Sequence, residues 1–181
     1  MDLPELTLTD KAALKIHLEA RCDFNYDHQA GYLIGQASYL FRVRIADLEI
    51  FQNMIPNTWV LSDPESPRTL DVIANRILDK FGSLDRLVEA APCHDRSWYE
   101  RIKYIYDNFS WEKYGPVFLC PVEGDRTKSK NKEGSELDKS PTASFSVLNG
   151  LHSSLAAMLR IRQGIAFKPF EAVLLLPRIN Y

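Results

Sequence analysis

A histidine and two serines follow a glycine near the end of the chain, in the run Asn149-Gly150-Leu151-His152-Ser153-Ser154. The pattern predicts a strand, a tight turn at Gly150, and a helix that Ser153 or Ser154 caps. Free amide groups at a helix N-terminus carry a partial positive potential, which suits a phosphate or another anion. His152 could titrate near neutrality, bind a metal or contact a phosphate oxygen. A purely structural histidine in a strand-to-helix turn is the alternative.

Two carboxylates, Glu123 and Asp125, follow an apolar strand predicted over residues 115–122. We expect the C-terminal end of that strand to lie near the Gly150 turn, where the carboxylates could hold Mg²⁺ beside a phosphate. A solvated acidic pair at the start of a loop is the alternative. The loop that follows also carries five bases, which are Arg126, Lys128, Lys130, Lys132 and Lys139. Its acids balance these bases, so a solvated loop is favoured over a DNA clamp.

Three further groups of residues have weaker chemical patterns. Cys22, Asp23, Asp27 and His28 fit no standard zinc spacing. Cys93-His94-Asp95 has the residue types of a nucleophile site but no visible third partner. Arg160 and Arg162 could bring a positive charge to the glycine turn or could face solvent. The sequence has no GxxxxGK[ST] loop, which excludes a P-loop ATPase.

Composition narrows the class of protein. The 181 residues carry a net charge of -2, which argues against a globally basic nucleic-acid binder but allows a local basic patch. Cys22, Cys93 and Cys120 form no CxxC pair, so we expect reduced thiols in the cytoplasm. The start of the chain lacks a signal-peptide pattern, and the apolar run 172–176 is too short to cross a bilayer. We expect a cytoplasmic protein without membrane insertion; docking on a membrane protein stays open.

Hydrophobic periodicity predicts a single α/β (α+β) domain over residues 1–181. Helices are predicted over 7–21 with Thr9 as N-cap, 69–81 ending at Gly82, 83–90, 97–108 and 153–163 ending at Gly164. Strands are predicted over 39–50, 58–61, 115–122, 144–148 and 170–176. The polar run 124–143 predicts a mobile surface loop. An apolar stripe on the predicted helix 97–108 is expected to be core; it consists of Trp98, Ile102, Ile105 and Phe109.

This order of elements resembles the ParB/sulfiredoxin superfamily over about residues 58–176. The likeness rests on a Pro67-Arg68 turn before a helix, a Gly115-Pro116 strand, the Gly150 turn at a helix start, and a final strand. It implies a ParB/sulfiredoxin-like fold in which residues 83–114 form a helical insertion.

The resemblance also implies an ATP site. Arg68 matches the arginine of the family's Pro-Arg turn, which lies near the nucleotide phosphates, and His152 matches a histidine of sulfiredoxins. The nucleotide-binding turn would comprise Asn149, Gly150, Leu151, Ser153 and Ser154. Ser153 replaces the arginine of the motif, so that charge is missing. Leu151 stands where sulfiredoxins carry their catalytic cysteine, which excludes sulfinic-acid reduction because leucine has no nucleophile.

Within the superfamily, the size and the altered motif are similar to plasmid fertility-inhibition and oncogenic-suppression proteins. The likeness implies a block of DNA or effector transfer through type IV secretion, with ATPase and metal-dependent DNase activity. Arg68, His152 and Glu123 would be catalytic, Glu123 and Asp125 would hold Mg²⁺, and the partners would be DNA and the coupling protein of the machine.

The alternative hypothesis is a catalytically degenerate module that inhibits by binding the coupling protein or DNA without hydrolysis. Its interface would come from the aromatic residues of the insertion, since Trp and Tyr dominate interface hot spots. These residues are Trp98, Tyr99, Tyr104, Tyr106 and Trp111. The loss of the motif arginine at Ser153 favours this hypothesis, whereas an intact anion-binding turn favours the enzyme.

Overall fold

A computed structural model describes residues 6–19, 28–56, 69–122 and 145–177, which form a mixed α/β fold. The elements in chain order are β1 (Leu6–Leu8), α1 (Lys11–Glu19), α2 (His28–Gln36), β2 (Ala37–Ile45), α3 (Leu48–Gln52), β3 (Ile55–Pro56), α4 (Leu70–Phe81), α5 (Leu84–Ala90), α6 (Cys93–Asp107), α7 (Trp111–Tyr114), β4 (Val117–Pro121), β5 (Phe145–Asn149), α8 (Leu151–Arg162) and β6 (Phe170–Pro177). The predicted mixed α/β class is confirmed.

The strands form one six-stranded mixed sheet in the order β1-β2-β6-β4-β5-β3. Strand β4 runs parallel to β6 and antiparallel to β5, and the short β3 runs parallel to β5. Residues 117–120 of β4 are all buried, as expected for a strand with both of its faces covered. The larger core lies between the sheet and helices α4, α5, α6 and α8, while Leu14 and Ile34 of α1 and α2 close a smaller core that also contains Phe118.

Helices α4, α5 and α6 confirm the predicted pattern. Thr69 caps α4 by accepting a hydrogen bond from the Val72 amide at 3.3 Å, and Gly82 ends the helix with φ of 73°. Ile102 and Ile105 of α6 are buried, and the other two members of the predicted stripe pack against the core. The helix predicted over 97–108 begins four residues earlier than expected, at Cys93.

The helix predicted over residues 7–21 begins too early, because α1 starts at Lys11. Residues 6–8 form β1, an edge strand on β2, because pairing with the sheet overrides the local helical pattern. The Asp10 carboxylate caps α1 by accepting from the Ala12 and Ala13 amides, whereas the Thr9 amide donates to the Leu40 carbonyl. The predicted strand 39–50 also ends early, at Ile45, because Asp47 caps α3.

Some expectations concern residues outside the described ranges. These are the predicted strand 58–61, the Pro67-Arg68 turn and the polar loop 124–143. In the part of the chain that is described, no helix has the length and apolar character needed to cross a membrane.

Candidate functional site

The Gly150 turn connects β5 to α8 and lies against the start of β4. Gly150 has φ of 88° and ψ of 18°, a left-handed conformation that favours glycine. A Cβ atom at this position would lie 3.2 Å from Cα and 3.3 Å from Cγ2 of Val117. The Asn149 side chain fastens the turn, because its Oδ1 accepts from the Gly150 amide at 2.6 Å. Glycine is therefore required both by its conformation and by the close approach of β4.

The two serines lie inside the first turn of α8, so the prediction that one of them caps the helix is wrong. Gly150 is the N-cap, and its carbonyl accepts from the Ser154 amide at 2.9 Å. The Ser154 hydroxyl donates to that same carbonyl at 3.0 Å, and the Ser153 hydroxyl donates to the Tyr114 carbonyl at 3.1 Å. Both side chains are buried, and both hydroxyl protons are already used within the protein.

The first turn of α8 is enclosed by packed side chains. Leu151 is 6% exposed, Ser153 is 5% exposed and Ser154 is fully buried. The helix is unusually buried along its length because β4 covers it on one side and α4 and α6 pack on it as well. A triphosphate at this turn would have to displace core side chains, since the serines and Leu151 face the protein interior.

His152 is the half-buried member of this turn. Its ring lies against the Trp98 ring, with the centroids 4.8 Å apart and the planes at 48°. Burial, and then the positive charge of Arg101, lowers the pKa of His152 from 6.5 to about 4. The imidazole is therefore neutral at neutral pH and brings no positive charge to an anion.

Two buried polar atoms beside the first turn of α8 are unpaired. Within the described ranges, the buried Nε2 of His152 and the buried Nδ2 of Asn149 have no hydrogen-bond partner. Buried polar groups usually have a partner, so these two atoms are the remaining polar feature of the turn.

Helices α6 and α7 of the insertion form the surface beside the start of α8. Arg101 and Lys113 are exposed there, and Tyr104 is 58% exposed. We call these three residues the α6–α7 rim. Lys113 Nζ lies 5.5 Å from the ring centroid of Tyr114, whose carbonyl binds Ser153. The rim therefore combines two cations and an accessible phenol ring next to the enclosed turn.

The predicted aromatic interface is mostly core. Of its five members, Tyr104 alone is more than half exposed among these described side chains; Tyr99 is buried, and Trp98, Tyr106 and Trp111 pack against the main core. The apolar face of α6 points inward, which explains why most of its aromatic residues are unavailable to a partner.

The end of β4 lies away from the Gly150 turn, contrary to expectation. The strands β4 and β5 are antiparallel, so Phe118 lies opposite Asn149 while Pro121 lies opposite Phe145. Four residue steps along β5 span about 13 Å. Strand β4 therefore ends at the opposite end of β5 from the Gly150 turn. The expectation that β4 ends beside the Gly150 turn, on which the predicted position of the Glu123 and Asp125 carboxylates depended, is wrong.

The remaining predicted site residues are not brought together by the described part of the structure. Arg68, Glu123 and Asp125 lie outside the described residues, as do Cys22, Asp23 and Asp27. Within the described ranges, no group of three or more His, Cys, Asp or Glu side chains could hold a metal ion. Cys93 is exposed, and His94 Nε2 lies 3.3 Å from Asp95 Oδ2 on the protein surface.

Arg160 and Arg162 lie at the opposite end of α8 from Gly150. Arg162 forms an ion pair with Asp71 of α4. Arg160 donates through Nη1 to the Tyr106 carbonyl at 2.7 Å. Because each guanidinium is held at the C-terminal end of the helix, neither replaces the missing arginine of the motif at Ser153.

A cavity of about 240 Å³ lies at this C-terminal end of α8. Residues 109–112, 157–161 and 165–169 contribute to its wall. Sequence reasoning missed it because the three segments are distant along the chain and none carries a recognisable motif. The one available signal was the aromatic content of 109–111 and of Phe167.

Comparison with known protein families, with characterised proteins and with solved structures finds no match to this chain.

Proposed function

We propose that this protein is a ParB/sulfiredoxin-type fertility-inhibition module that blocks type IV secretion by binding, without hydrolysis. The resemblance in the order of elements supplies the biological setting. The observation that supports binding over hydrolysis is the enclosed first turn of α8, where the serine hydroxyls donate to protein carbonyls and Leu151 is buried. A nucleotide-dependent hydrolase needs an open phosphate site at this turn.

The α6–α7 rim is the proposed contact surface, and the coupling protein of the secretion machine is the proposed partner. Arg101 and Lys113 would face acidic side chains of the partner, and Tyr104 would supply the aromatic contact. Tyr and Arg are the residue types that carry much of the binding energy in protein interfaces. The rim belongs to residues 83–114, the segment that the resemblance treats as an insertion.

A second candidate function is the ATP- and Mg²⁺-dependent ATPase and DNase, with Arg68, His152 and Glu123 as catalytic residues. The unpartnered Nε2 of His152 and Nδ2 of Asn149 favour it, because a ligand at the start of α8 would supply their partners. This hypothesis requires a rearrangement that opens the turn to a nucleotide.

The experiment that tests the proposal measures transfer and hydrolysis on the same variants. Plasmid transfer is scored in donor cells that produce the wild-type chain, Arg101→Gln, Tyr104→Ala or Arg96→Gln, and phosphate release and plasmid nicking are measured on the purified proteins with Mg²⁺. We expect the wild type to inhibit transfer without hydrolysis. Arg101→Gln and Tyr104→Ala should relieve inhibition, whereas Arg96→Gln, an exposed change on the same helix, should not.

The proposal is overturned if the wild-type protein hydrolyses ATP or DNA and the variants Arg68→Ala and His152→Phe do not. That result would support the second candidate function. A wild-type chain that leaves transfer unaffected contradicts both candidates. Binding of the rim to DNA instead of the coupling protein, measured with both purified partners, would contradict the choice of partner.

A further inference from the structure

The cavity at the C-terminal end of α8 has an aromatic wall and a cationic side. Phe109, Trp111 and Phe167 line it together with Ile161, and Arg160 and Lys168 supply the positive charge. The rings of Phe109 and Trp111 meet edge to face, with centroids 5.0 Å apart at 81°. Trp111 also stacks on Phe170, with centroids 4.0 Å apart, which fixes the wall to strand β6.

Arg160 is positioned for a ligand by contacts that leave donors free. Its Nη1 donates to the Tyr106 carbonyl, and its guanidinium lies 5.5 Å from the Tyr106 ring centroid and 5.8 Å from that of Phe109. These contacts hold the head group in place, and the planar fork has further N–H donors suited to a carboxylate. Among the described residues, no carboxylate forms an ion pair with it, although the side chain is partly buried.

The size and charge of the cavity define the ligand class. A volume of about 240 Å³ has room for a single-ring molecule. Aromatic walls favour a planar ring through edge and offset contacts. Glu112 also lines the cavity, so two cations face one carboxylate and the net charge of the wall suits a monoanion.

We propose that this cavity is a binding site for small aromatic monocarboxylates, with the ring against Trp111 and Phe167 and the carboxylate on Arg160. The cavity shares helix α7 with the α6–α7 rim, but none of the three rim residues lines it, and the proposal does not depend on the proposed function. Lys168, which is exposed at the cavity wall, supplies a second and weaker attraction.

The test is a titration of the full chain with benzoate, followed by the backbone amide signals of Gly164, Ala166 and Lys168 in two-dimensional NMR. We expect saturable shifts at these positions. Benzamide and cyclohexanecarboxylate are the matched probes, because the first removes the charge and the second removes the aromatic ring. Each should bind less tightly than benzoate, and the loss of charge should weaken binding about tenfold.

Three variants test whether benzoate binds in this cavity. Arg160→Gln should weaken benzoate binding about tenfold, whereas Arg162→Gln, the same change on the same helix outside the cavity, should leave it unchanged. Ala166→Phe places a ring into the cavity from an exposed position and should abolish binding even if Arg160→Gln fails to fold.

Three results would overturn the proposal. These are the absence of a saturable shift with benzoate, an equal loss of benzoate binding in Arg160→Gln and Arg162→Gln, and wild-type binding by Ala166→Phe. Equal binding of cyclohexanecarboxylate would overturn the aromatic class, and equal binding of benzamide would overturn the role of Arg160.

Discussion

The two ends of α8 differ in how closely the protein packs around them. At the N-terminal end, Gly150 touches Val117 and the serine hydroxyls bind protein carbonyls. At the C-terminal end, Gly164 also has a left-handed conformation, with φ of 93°, yet among the described residues beyond its chain neighbours no atom lies within 4 Å of where its Cβ would be. A cavity with a partly buried arginine lies beside this second end.

This difference shows that a local pattern does not establish a site. The strand-glycine-helix pattern at Gly150 predicts an anion-binding turn, but tertiary packing fills the turn with Leu151 and the two serines. The C-terminal end has no comparable motif and retains accessible space. The amide groups of a helix N-terminus bind an anion only where the surrounding packing leaves room for one.

The largest expected effect is a loss of stability on substitution of Gly150, which is compared with the same substitution at Gly164. Gly150→Ala should lower the free energy of unfolding by about 3 kcal/mol, because the side chain is strained at positive φ and also crowds Val117. Gly164→Ala should cost about 1 kcal/mol, since it has the conformational strain without the crowding. Urea denaturation of the two variants and the wild type measures both values. Equal losses would show that the packing around the two glycines does not differ as described.

Much of the fold could be predicted from the sequence where one element carries its own pattern. Helix α4 has apolar residues at helical spacing, a threonine cap and a terminal glycine, and strand β4 and residues 172–176 of β6 are continuous apolar runs. The elements β1, α2, α3, β3 and α7 were not predicted, and the two strands among them depend on partners elsewhere in the chain. For example, β1 exists as a strand because it pairs with β2.

The candidate site could be predicted only in part. Gly150 and its left-handed turn follow from local sequence, since glycine tolerates positive φ. The direction of β4 relative to β5 could not be predicted, and it is this antiparallel register that moves the end of β4 away from the turn. The sequence offers Arg160 as a replacement for the motif arginine, but its partner Tyr106 is 54 residues away in the chain and holds it at the other end of α8.

The next prediction tests the burial of His152 by its pH dependence. Its pKa is about 4 in the fold, below the ordinary value of 6.5, so its contribution to stability is complete above about pH 6.5 and is lost as the pH falls toward 4. Wild-type protein should lose about 2 kcal/mol more stability over this range than His152→Phe, which keeps a ring against Trp98 but cannot titrate.

Urea denaturation at a series of pH values measures this difference. His94→Gln is the matched control, because the His94 side chain is 80% exposed. It should follow the wild-type curve. Parallel curves for the wild type and His152→Phe would mean that the imidazole accepts a proton as easily in the fold as in the unfolded chain, which requires an open rather than an enclosed turn.

A smaller effect is expected at the serines of the first turn. Ser153→Ala should cost about 1 kcal/mol of unfolding free energy, because it leaves the Tyr114 carbonyl without the hydroxyl donor that joins α8 to α7. Ser154→Ala should cost less, since the Gly150 carbonyl keeps its bond from the Ser154 amide. Chemical denaturation ranks the two variants. The reverse ranking would show that the bond between α8 and α7 contributes little to closing the turn.

The smallest expected effect concerns the ion pair at the open end. Arg162 binds Asp71 and joins the end of α8 to α4, but the two side chains are 33% and 22% exposed. A partly exposed ion pair contributes about 0.5 kcal/mol, because solvent and salt screen it. A double-mutant cycle with Arg162→Gln and Asp71→Asn should therefore give a coupling energy of this size, which falls when salt is added. A coupling energy above about 2 kcal/mol that persists in high salt would contradict the prediction that solvent and salt screen this ion pair. In that case the C-terminal end of α8 would be fixed to α4 as firmly as its N-terminal end is fixed to β4, and the contrast between the two ends would lie in accessible space alone.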